Sequence, residues 1–442
     1  EKEINEAPEI INKTILKYIN LDNLILKKSN FFFNKEFSKL SPIVKKIKNK
    51  KIDKIIITGM GTCHTAAEAI AHYMRENLYQ YIRHISISAE IASEASAFQM
   101  KKNMEKTLII AVAQSGTTKD TNTFIEMAKS RGASTIALLN KRNGDISYIA
   151  DYTLYLGNGR DIEIAVPSTK TYLCHLILGY IFTLHIISKI FGSKKKISKK
   201  LKEILIVSEK ISLILKKNKM KNNNNFYKKF STNNSWYCLY DDKSKKYASM
   251  EIRIKLSECC YKTLPYMNIK DFLKNKIKNS VLIYDVGFES DKLKNTIKEL
   301  IKKNNFIILI GSEDNLRKIS KNSKNIYHLS YSKILKEYST IFSVLYGQIL
   351  SFNVAKFLDK RGNFFNRLAK DLTLKKKSKT VRSFLSYNYN KSFLVNYPKN
   401  TISSLKKDIN NFFLGKNKRK NHIIKQINYF EQYSRRPIDT IK

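Results

Sequence analysis

Short apolar runs alternate along this chain with longer stretches in which apolar residues recur every three or four positions. "KIIITGMGT" is a β-branched run that stops at Gly59 and Gly61, and Ala67, Ile70, Ala71, Met74 and Leu78 then share one helical face. "HISIS" and "TLIIAVAQSG" read as the next strands. Thr121, Phe124, Ile125 and Ala128 keep helical spacing, and "STIALLN" and "YTLYLG" complete a first series. A Lys-rich helical stretch over 193–220 and the polar "KMKNNNNF" lead to a second series. Its strands are "SWYCLY", "NSVLIYDVG", "NFIILIGS" and "NIYHLSY", with "YASMEIRIKLSECCYK" as a helix between the first two and a long helix from "EYSTIFSVLYGQIL" onward. Strands that are apolar throughout and alternate with helices predict an α/β fold of two tandem domains. Each would be a parallel sheet flanked by helices on both faces. The expected division is 1–50 an N-terminal linker with some helix, 51–192 the first domain, 193–225 a linker helix, 226–358 the second domain, 359–377 a tail and 378–442 an extension to which no chemistry can be assigned. The chain opens on Glu1 and stops in mid-pattern, which is expected of a fragment or a processed product.

One stretch competes with this picture. "TYLCHLILGYIFTLHIIS", Thr171 to Ser188, carries no formal charge and is nearly long enough to span a bilayer. His175 and His185 within it, and the α/β pattern around it, favour a buried core helix and no membrane partner. Charge raises a second competitor. The 442 residues carry a formal charge of +45, and clustered Lys and Arg would suit a nucleic acid. Here the lysines are spread evenly, and Asn, Ile, Phe and Tyr are abundant with them, as AT-rich codons produce. Solvated lysine faces are the reading preferred, with no nucleic-acid partner. The five cysteines, Cys63, Cys174, Cys238, Cys259 and Cys260, show neither zinc-ligand spacing nor an even disulfide count. With no signal-peptide pattern at the start, a reduced cytoplasmic setting is expected.

Candidate chemistry sits where strands end. "AVAQSGTTKDT", Ala111 to Thr121, closes an apolar strand with Gln114, Ser115, Gly116, Thr117 and Thr118 just before a helix. A helix N-terminus leaves amides unpaired and favours an anion, a glycine lets backbone approach closely, and each hydroxyl can donate once more. One Thr used as an N-cap is the simpler reading, but a cap needs only one hydroxyl. "GMGTCHT", Gly59 to Thr65, repeats the arrangement on the first strand, so two loops of one sheet could converge on a phosphate.

These stretches resemble the SIS (sugar isomerase) domain family, and in particular the isomerase half of the glutamine–fructose-6-phosphate aminotransferase (glucosamine-6-phosphate synthase) family. "QSGTTKDT" and "GMGTCHTA" are similar to its phosphate loops, and "EIASE", Glu90 to Glu94, matches letter for letter. "EIAVPSTKTY", Glu163 to Tyr172, is similar to "EIGVASTKAF". "MEIRIKLSECCY", Met250 to Tyr261, is similar to "LEGALKLKEISY", and "NRLAKDLTL", Asn366 to Leu374, to "RNLAKSVTV". "EKEINEAPEIINKT" at the start resembles the linker that follows the family's glutaminase domain. The blocks run in family order over about residues 1–377.

The resemblance implies conversion of fructose 6-phosphate plus ammonia to glucosamine 6-phosphate, with no metal or organic cofactor. It also implies a homodimer and a glutaminase domain or chain as the source of ammonia. Gly61, Thr62 and Cys63 would form the first sugar-phosphate loop, and Gln114, Ser115, Gly116 and Thr118 the phosphate-binding loop. Val166 and Ser168 would lie near the sugar. Glu258 would move a proton between C1 and C2, Lys255 would lie one turn earlier on the same helix face, and Lys370, in a catalytic tail over 359–377, would form a Schiff base with the open-chain sugar. Spacing alone reads Lys255 and Glu258 as an ordinary solvated pair. Glu94 is expected to be structural or interfacial, and His64 a surface or hydrogen-bonded histidine. Three departures stand out. Ala113 replaces a Ser of the family loop, Pro167 replaces a small Ala, and "GELKHGP" has no counterpart after Tyr261, so the ring-opening histidine would fall near Lys274. The alternative is therefore a SIS-type sugar-phosphate binding or regulatory protein with degraded catalysis.

Overall fold

A computed structural model describes residues 1–26, 32–98, 100–161, 163, 167–192, 194–219, 235–260, 262, 264–275, 277–287, 293–317, 319, 325–360 and 424. The chain forms two units, Glu1–Glu163 with Pro167–Val354, and Ile164–Val166 with Ala355–Lys442. The first unit holds both sheets. Of the second, the described part is the end of one helix, 355–360, and residue 424.

The first sheet contains β1 (Lys54–Gly59), β2 (Ser86–Ile91), β3 (Thr107–Ala113), β4 (Ser134–Leu139) and β5 (Tyr152–Tyr155), in the order β2-β1-β3-β4-β5. The second contains β6 (Trp236–Tyr240), β7 (Tyr266–Asn268), β8 (Val281–Asp285), β9 (Phe306–Ser312) and β10 (Ile326–Tyr331), in the order β10-β9-β8-β6-β7. Every pairing is parallel; Ile55, for example, faces Ile87 on one side and Leu108 on the other. Read from its other edge, the second order repeats the first, so the expected α/β fold with two tandem copies is what forms. All seven residues of β3 and of β9 are buried, which is why these strands read as unbroken apolar runs. In each sheet the chain turns one way after its first strand and the other way after its third. A crevice therefore opens beyond the carboxyl ends of β1 and β3, and another beyond those of β6 and β8.

The repeat extends to the helices. Helix Thr62–Leu78 follows β1 and helix Lys243–Cys260 follows β6, and the two pack against each other. Helices Lys170–Phe191 and Ser339–Lys360 close the two series. A Cβ placed on Gly179 would lie 2.6 Å from Ile70, and one on Gly347 would lie 2.3 Å from Ile252. Each closing helix thus meets the helix after its first strand at a glycine, because no side chain fits between them.

Two stretches among the described residues are long and apolar enough to cross a membrane, Lys170–Phe191 and Lys336–Leu358. The apolar window of the first is 83% buried inside the fold. Its histidines have core partners. His175 Nε2 lies 3.2 Å from the carbonyls of both Ala113 and Leu138, tying the helix to the ends of β3 and β4, and burial pushes its pKa down to about 4. His185 stacks on Phe37 at 4.5 Å, and burial pushes it down to about 3. The first fifty residues are not merely a connection. Helix Lys2–Tyr18 buries Ile4, Ala7, Ile11 and Ile15, packs on helix Lys170–Phe191, and donates from Tyr18 Oη to the Tyr155 carbonyl at 2.9 Å. Those apolar positions recur every three or four residues, so the segment is amphipathic and has a face to bury.

Gly347→Ala should therefore destabilise the fold by about 1–3 kcal/mol, the cost of overpacking a core, although alanine is the better helix former. Urea denaturation of the variant against the parent chain checks this. A stability gain would show that the two helices do not meet at Gly347.

Candidate functional site

The loop after β3 carries the hydroxyl cluster. Gly116 takes a positive φ of 73°, and a Cβ there would lie 3.0 Å from both Ile146 and Leu139, so the tight turn requires glycine. Ser115 and Thr117 hydroxyls lie 2.9 Å apart, and the Thr117 N–H donates to Ser115 Oγ at 3.3 Å. Asn122 Nδ2 donates to the Gly116 carbonyl at 3.2 Å and braces the turn from inside. Thr118 is the N-cap of helix Lys119–Ser130, but its hydroxyl makes no capping bond. The first helical hydrogen bond runs from Asn122 N–H to the Thr118 carbonyl, so the amides before it open toward the loop.

The loop after β1 reaches a different kind of chemistry. Gly61, at φ 53°, is the N-cap of helix Thr62–Leu78, and Cys63 lies half-buried in its first turn. Thr62 and Thr65 face the helix of the second repeat. Thr65 Oγ1 donates to Glu251 Oε2 at 2.6 Å, and Thr62 Oγ1 lies 3.3 Å from Glu251 Oε1. Lys255 Nζ is 3.0 Å from Thr62 Oγ1, 2.8 Å from Glu258 Oε2 and 3.4 Å from Glu251 Oε1. Lys255 and Glu251 side chains are 2% and 0% exposed, whereas Glu258 is 17% exposed. Burial opposes the ammonium charge of Lys255, but Glu251 and Glu258 outweigh it and hold the lysine above its ordinary range. Burial likewise pushes Glu251 up to about 7, against the pull of Lys255 and the bond from Thr65. The group is thus a buried ammonium between two carboxylates, of which only Glu258 has an accessible side.

A third cluster joins the loop after β3 to the start of helix Lys170–Phe191. Glu163 accepts from Gln114 Nε2 at 3.2 Å, Ser168 Oγ at 2.8 Å, Thr169 N–H at 2.5 Å and Thr169 Oγ1 at 2.8 Å. Gln348 of the second repeat donates to the Thr169 carbonyl at 3.0 Å, so the closing helix of one repeat supports the loop of the other.

At the corresponding strand ends of the second sheet, charged side chains bond the backbone and one another. Asp241 accepts from the Gly287 N–H at 2.6 Å and from Tyr284 Oη at 2.9 Å. Lys245 is fully buried, 3.1 Å from Asp285 Oδ1 and 2.9 Å from Tyr331 Oη. Burial raises the Asp285 carboxyl to about 6. A carboxylate here takes the amide that an outside anion would need. Among the described residues, no group of three or more His, Cys, Asp or Glu could hold a metal ion.

The expected site residues fall into three groups. Thr62, Lys255 and Glu258 meet in the buried cluster; Gln114 and Ser168 meet at Glu163; and Ser115, Gly116 and Thr118 share the loop after β3, on the strand beside β1. Val166 and Lys370 lie outside the described residues. Glu251, Thr65 and Glu163 were not singled out by sequence. Glu251 stands four residues before Lys255 on one helix face, a spacing that could have marked it. His64 is mostly buried, its Nε2 3.9 Å from Glu68, and burial lowers its pKa.

Comparison with known proteins gives this geometry its setting. Residues 46–185 match the SIS domain family. Glutamine–fructose-6-phosphate aminotransferase (isomerizing) of Caldanaerobacter subterraneus subsp. tengcongensis is 28% identical over 366 residues, covering 80% of this chain and 55% of that protein. The Methanococcus maripaludis protein of the same name is 34% identical over 202 residues, 46% of this chain and 31% of that one. The chain thus spans about half the length, or less, of these relatives. Among solved structures, the C-terminal domain of glucosamine-fructose-6-phosphate aminotransferase from Francisella tularensis superposes with a TM-score of 0.68 at 21% identity, covering 80% of this chain and 95% of that one. Tagatose-6-phosphate ketose/aldose isomerase from Escherichia coli gives 0.58 at 15% identity, covering 81% and 93%. At these identities the likeness is one of fold. Residues 46–185 match the SIS domain family, the second sheet repeats the topology of the first, and along 80% of its length the chain is similar to glutamine–fructose-6-phosphate aminotransferase.

Proposed function

We propose that this chain is the isomerase part of a glucosamine-6-phosphate synthase, converting fructose 6-phosphate and ammonia to glucosamine 6-phosphate. The first repeat, residues 51–192, holds the phosphate on the loop after β3. The second, residues 226–358, supplies the catalytic helix. The sugar ring opens, ammonia forms an imine at C2, and a proton passes from C1 to C2. The carrying observation is the Glu251–Lys255–Glu258 cluster bonded to Thr62 and Thr65 at the start of the helix after β1, the strand paired with β3. Glu258 is the base because it alone of the two carboxylates has an accessible side; Lys255, held charged, orients it. Glu251 is enclosed and serves to keep Lys255 in place. Lys370 captures the open-chain sugar as a Schiff base, for which it must lose its proton. Val166 and Ser168 lie beside the sugar. A glutaminase domain or chain supplies ammonia, the protein works as a homodimer, and the cytoplasm is its setting.

One observation favours a second reading, that of a sugar-phosphate binding or regulatory protein with degraded catalysis. Lys274, where the resemblance would place the ring-opening histidine, is 78% exposed and lies 3.4 Å from Asp271. A solvated ammonium is a poor general base at neutral pH.

Two measurements test the proposal. Ser115→Ala should weaken fructose 6-phosphate binding by about 1.5–3 kcal/mol, the range for hydrogen bonds to charged groups, as read by titration calorimetry. Equal affinities would remove Ser115 from the site. Exchange of the C1 proton of fructose 6-phosphate in deuterated water, followed by NMR, separates the carboxylates. Glu258→Gln should slow exchange by about 10²–10⁴-fold while leaving binding nearly intact, because the amide keeps the shape but takes no proton. Glu251→Gln should retain far more of the exchange, since Glu251 does not reach the sugar. A parent chain that binds the sugar without exchanging its proton favours the binding-protein reading.

A further inference from the structure

Glu163 is saturated. An ionised carboxylate offers about four acceptor positions, and all four are in use. Oε1 takes the Thr169 N–H and hydroxyl, and Oε2 takes the Ser168 hydroxyl and the Gln114 amide. Gln114 and Ser168 belong to different loops and are both donors that the proposed sugar-phosphate site requires. In the second repeat a carboxylate from a different position, Asp241 just after β6, accepts the Gly287 N–H in the loop after the third strand of the series at 2.6 Å. In both crevices, then, a protein carboxylate holds donors suited to a ligand anion.

We propose that Glu163 is a resident anion that competes with the sugar phosphate, so that binding requires its Oε2 to release Gln114 and Ser168. This rests on the reading of the first crevice as a sugar-phosphate site. Two features make release local. The Gln114 bond, at 3.2 Å, is the longest of the four. The two Oε1 bonds to Thr169 can persist, because they hold the carboxylate at the N-terminus of helix Lys170–Phe191, where the helix dipole favours negative charge. Once a phosphate dianion arrives, two like charges share neighbouring donors, and their repulsion opposes binding. A sugar without phosphate meets no such opposition. Glu163 thus sets the affinity for the phosphate end of the ligand.

Titration calorimetry with fructose 6-phosphate, inorganic phosphate and unphosphorylated fructose on the full chain tests this. Glu163→Gln keeps the shape, removes the charge and can still accept from Thr169. It should bind fructose 6-phosphate and inorganic phosphate about five- to tenfold more tightly than the parent, tenfold being about 1.4 kcal/mol, with no change for fructose. Glu163→Asp keeps the charge at the helix end but shortens the arm that reaches Gln114. It should move the same way by a smaller factor, and it decides the matter if the glutamine variant does not fold. Unchanged or weaker phosphate binding in the folded variants would overturn the inference and leave the sugar-phosphate site standing. A parent chain that binds neither fructose 6-phosphate nor inorganic phosphate, with variants that do not either, would overturn the site itself and this inference with it.

Discussion

An ammonium group cannot be buried without partners, and the arrangement of this protein's two repeats follows from that constraint around Lys255. Its side chain is 2% exposed and is surrounded by Glu251, Glu258 and the hydroxyl of Thr62. Two carboxylates are enough to keep it charged despite burial, and breaking such a set leaves an uncompensated charge inside. The partners come from both repeats. Glu251 and Glu258 ride on the helix after β6, while Thr62 and Thr65 begin the helix after β1. The cluster can close only if these helices pack with their register fixed, and the glycine contacts behind them set how near each can lie to its own closing helix. The joining of the two repeats therefore depends on a few side chains.

The two crevices diverged in what fills them. Beyond β1 and β3 the loops offer hydroxyls, a glycine turn and amides at the start of a helix, with Glu163 at one side. Beyond β6 and β8 the same topology encloses Asp241, which engages the amide of Gly287, and the buried pair of Lys245 and Asp285. The duplicated architecture thus divides its labour. One copy presents donors at its crevice, and the other contributes the helix whose middle lies against them.

Much of the architecture was legible in sequence because buried parallel strands are written as unbroken apolar runs. β3 and β9, buried at every residue, are the clearest cases. The hydroxyls of the loop after β3 were legible for a complementary reason: nothing in a core needs so many. Other features were hidden. Spacing alone makes Lys255 and Glu258 a commonplace solvated pair; Lys255 is buried because a helix some 190 positions earlier covers it, and sequence spacing carries no trace of that contact. Glu251 escaped notice although it lies one turn away, since its role depends on the same covering helix. Gly179 and Gly347 look like minor blemishes in helical patterns until the neighbouring isoleucines are placed. Helix Lys2–Tyr18 lies in the stretch expected to be a linker with some helix; its packing was hidden because the partner surface, helix Lys170–Phe191, comes more than 150 residues later.

A sugar phosphate bound as proposed lies across the first crevice, with its phosphate on the loop after β3 and its reactive end at Glu258. A crystal structure of this chain with fructose 6-phosphate tests this placement most directly. The expected result is phosphate oxygens within hydrogen-bond distance, about 3 Å, of Ser115 and of amides at the start of helix Lys119–Ser130, with C1 within similar reach of the Glu258 carboxylate. A phosphate seated beyond β6 and β8, or a sugar whose C1 lies away from Glu258, would contradict it.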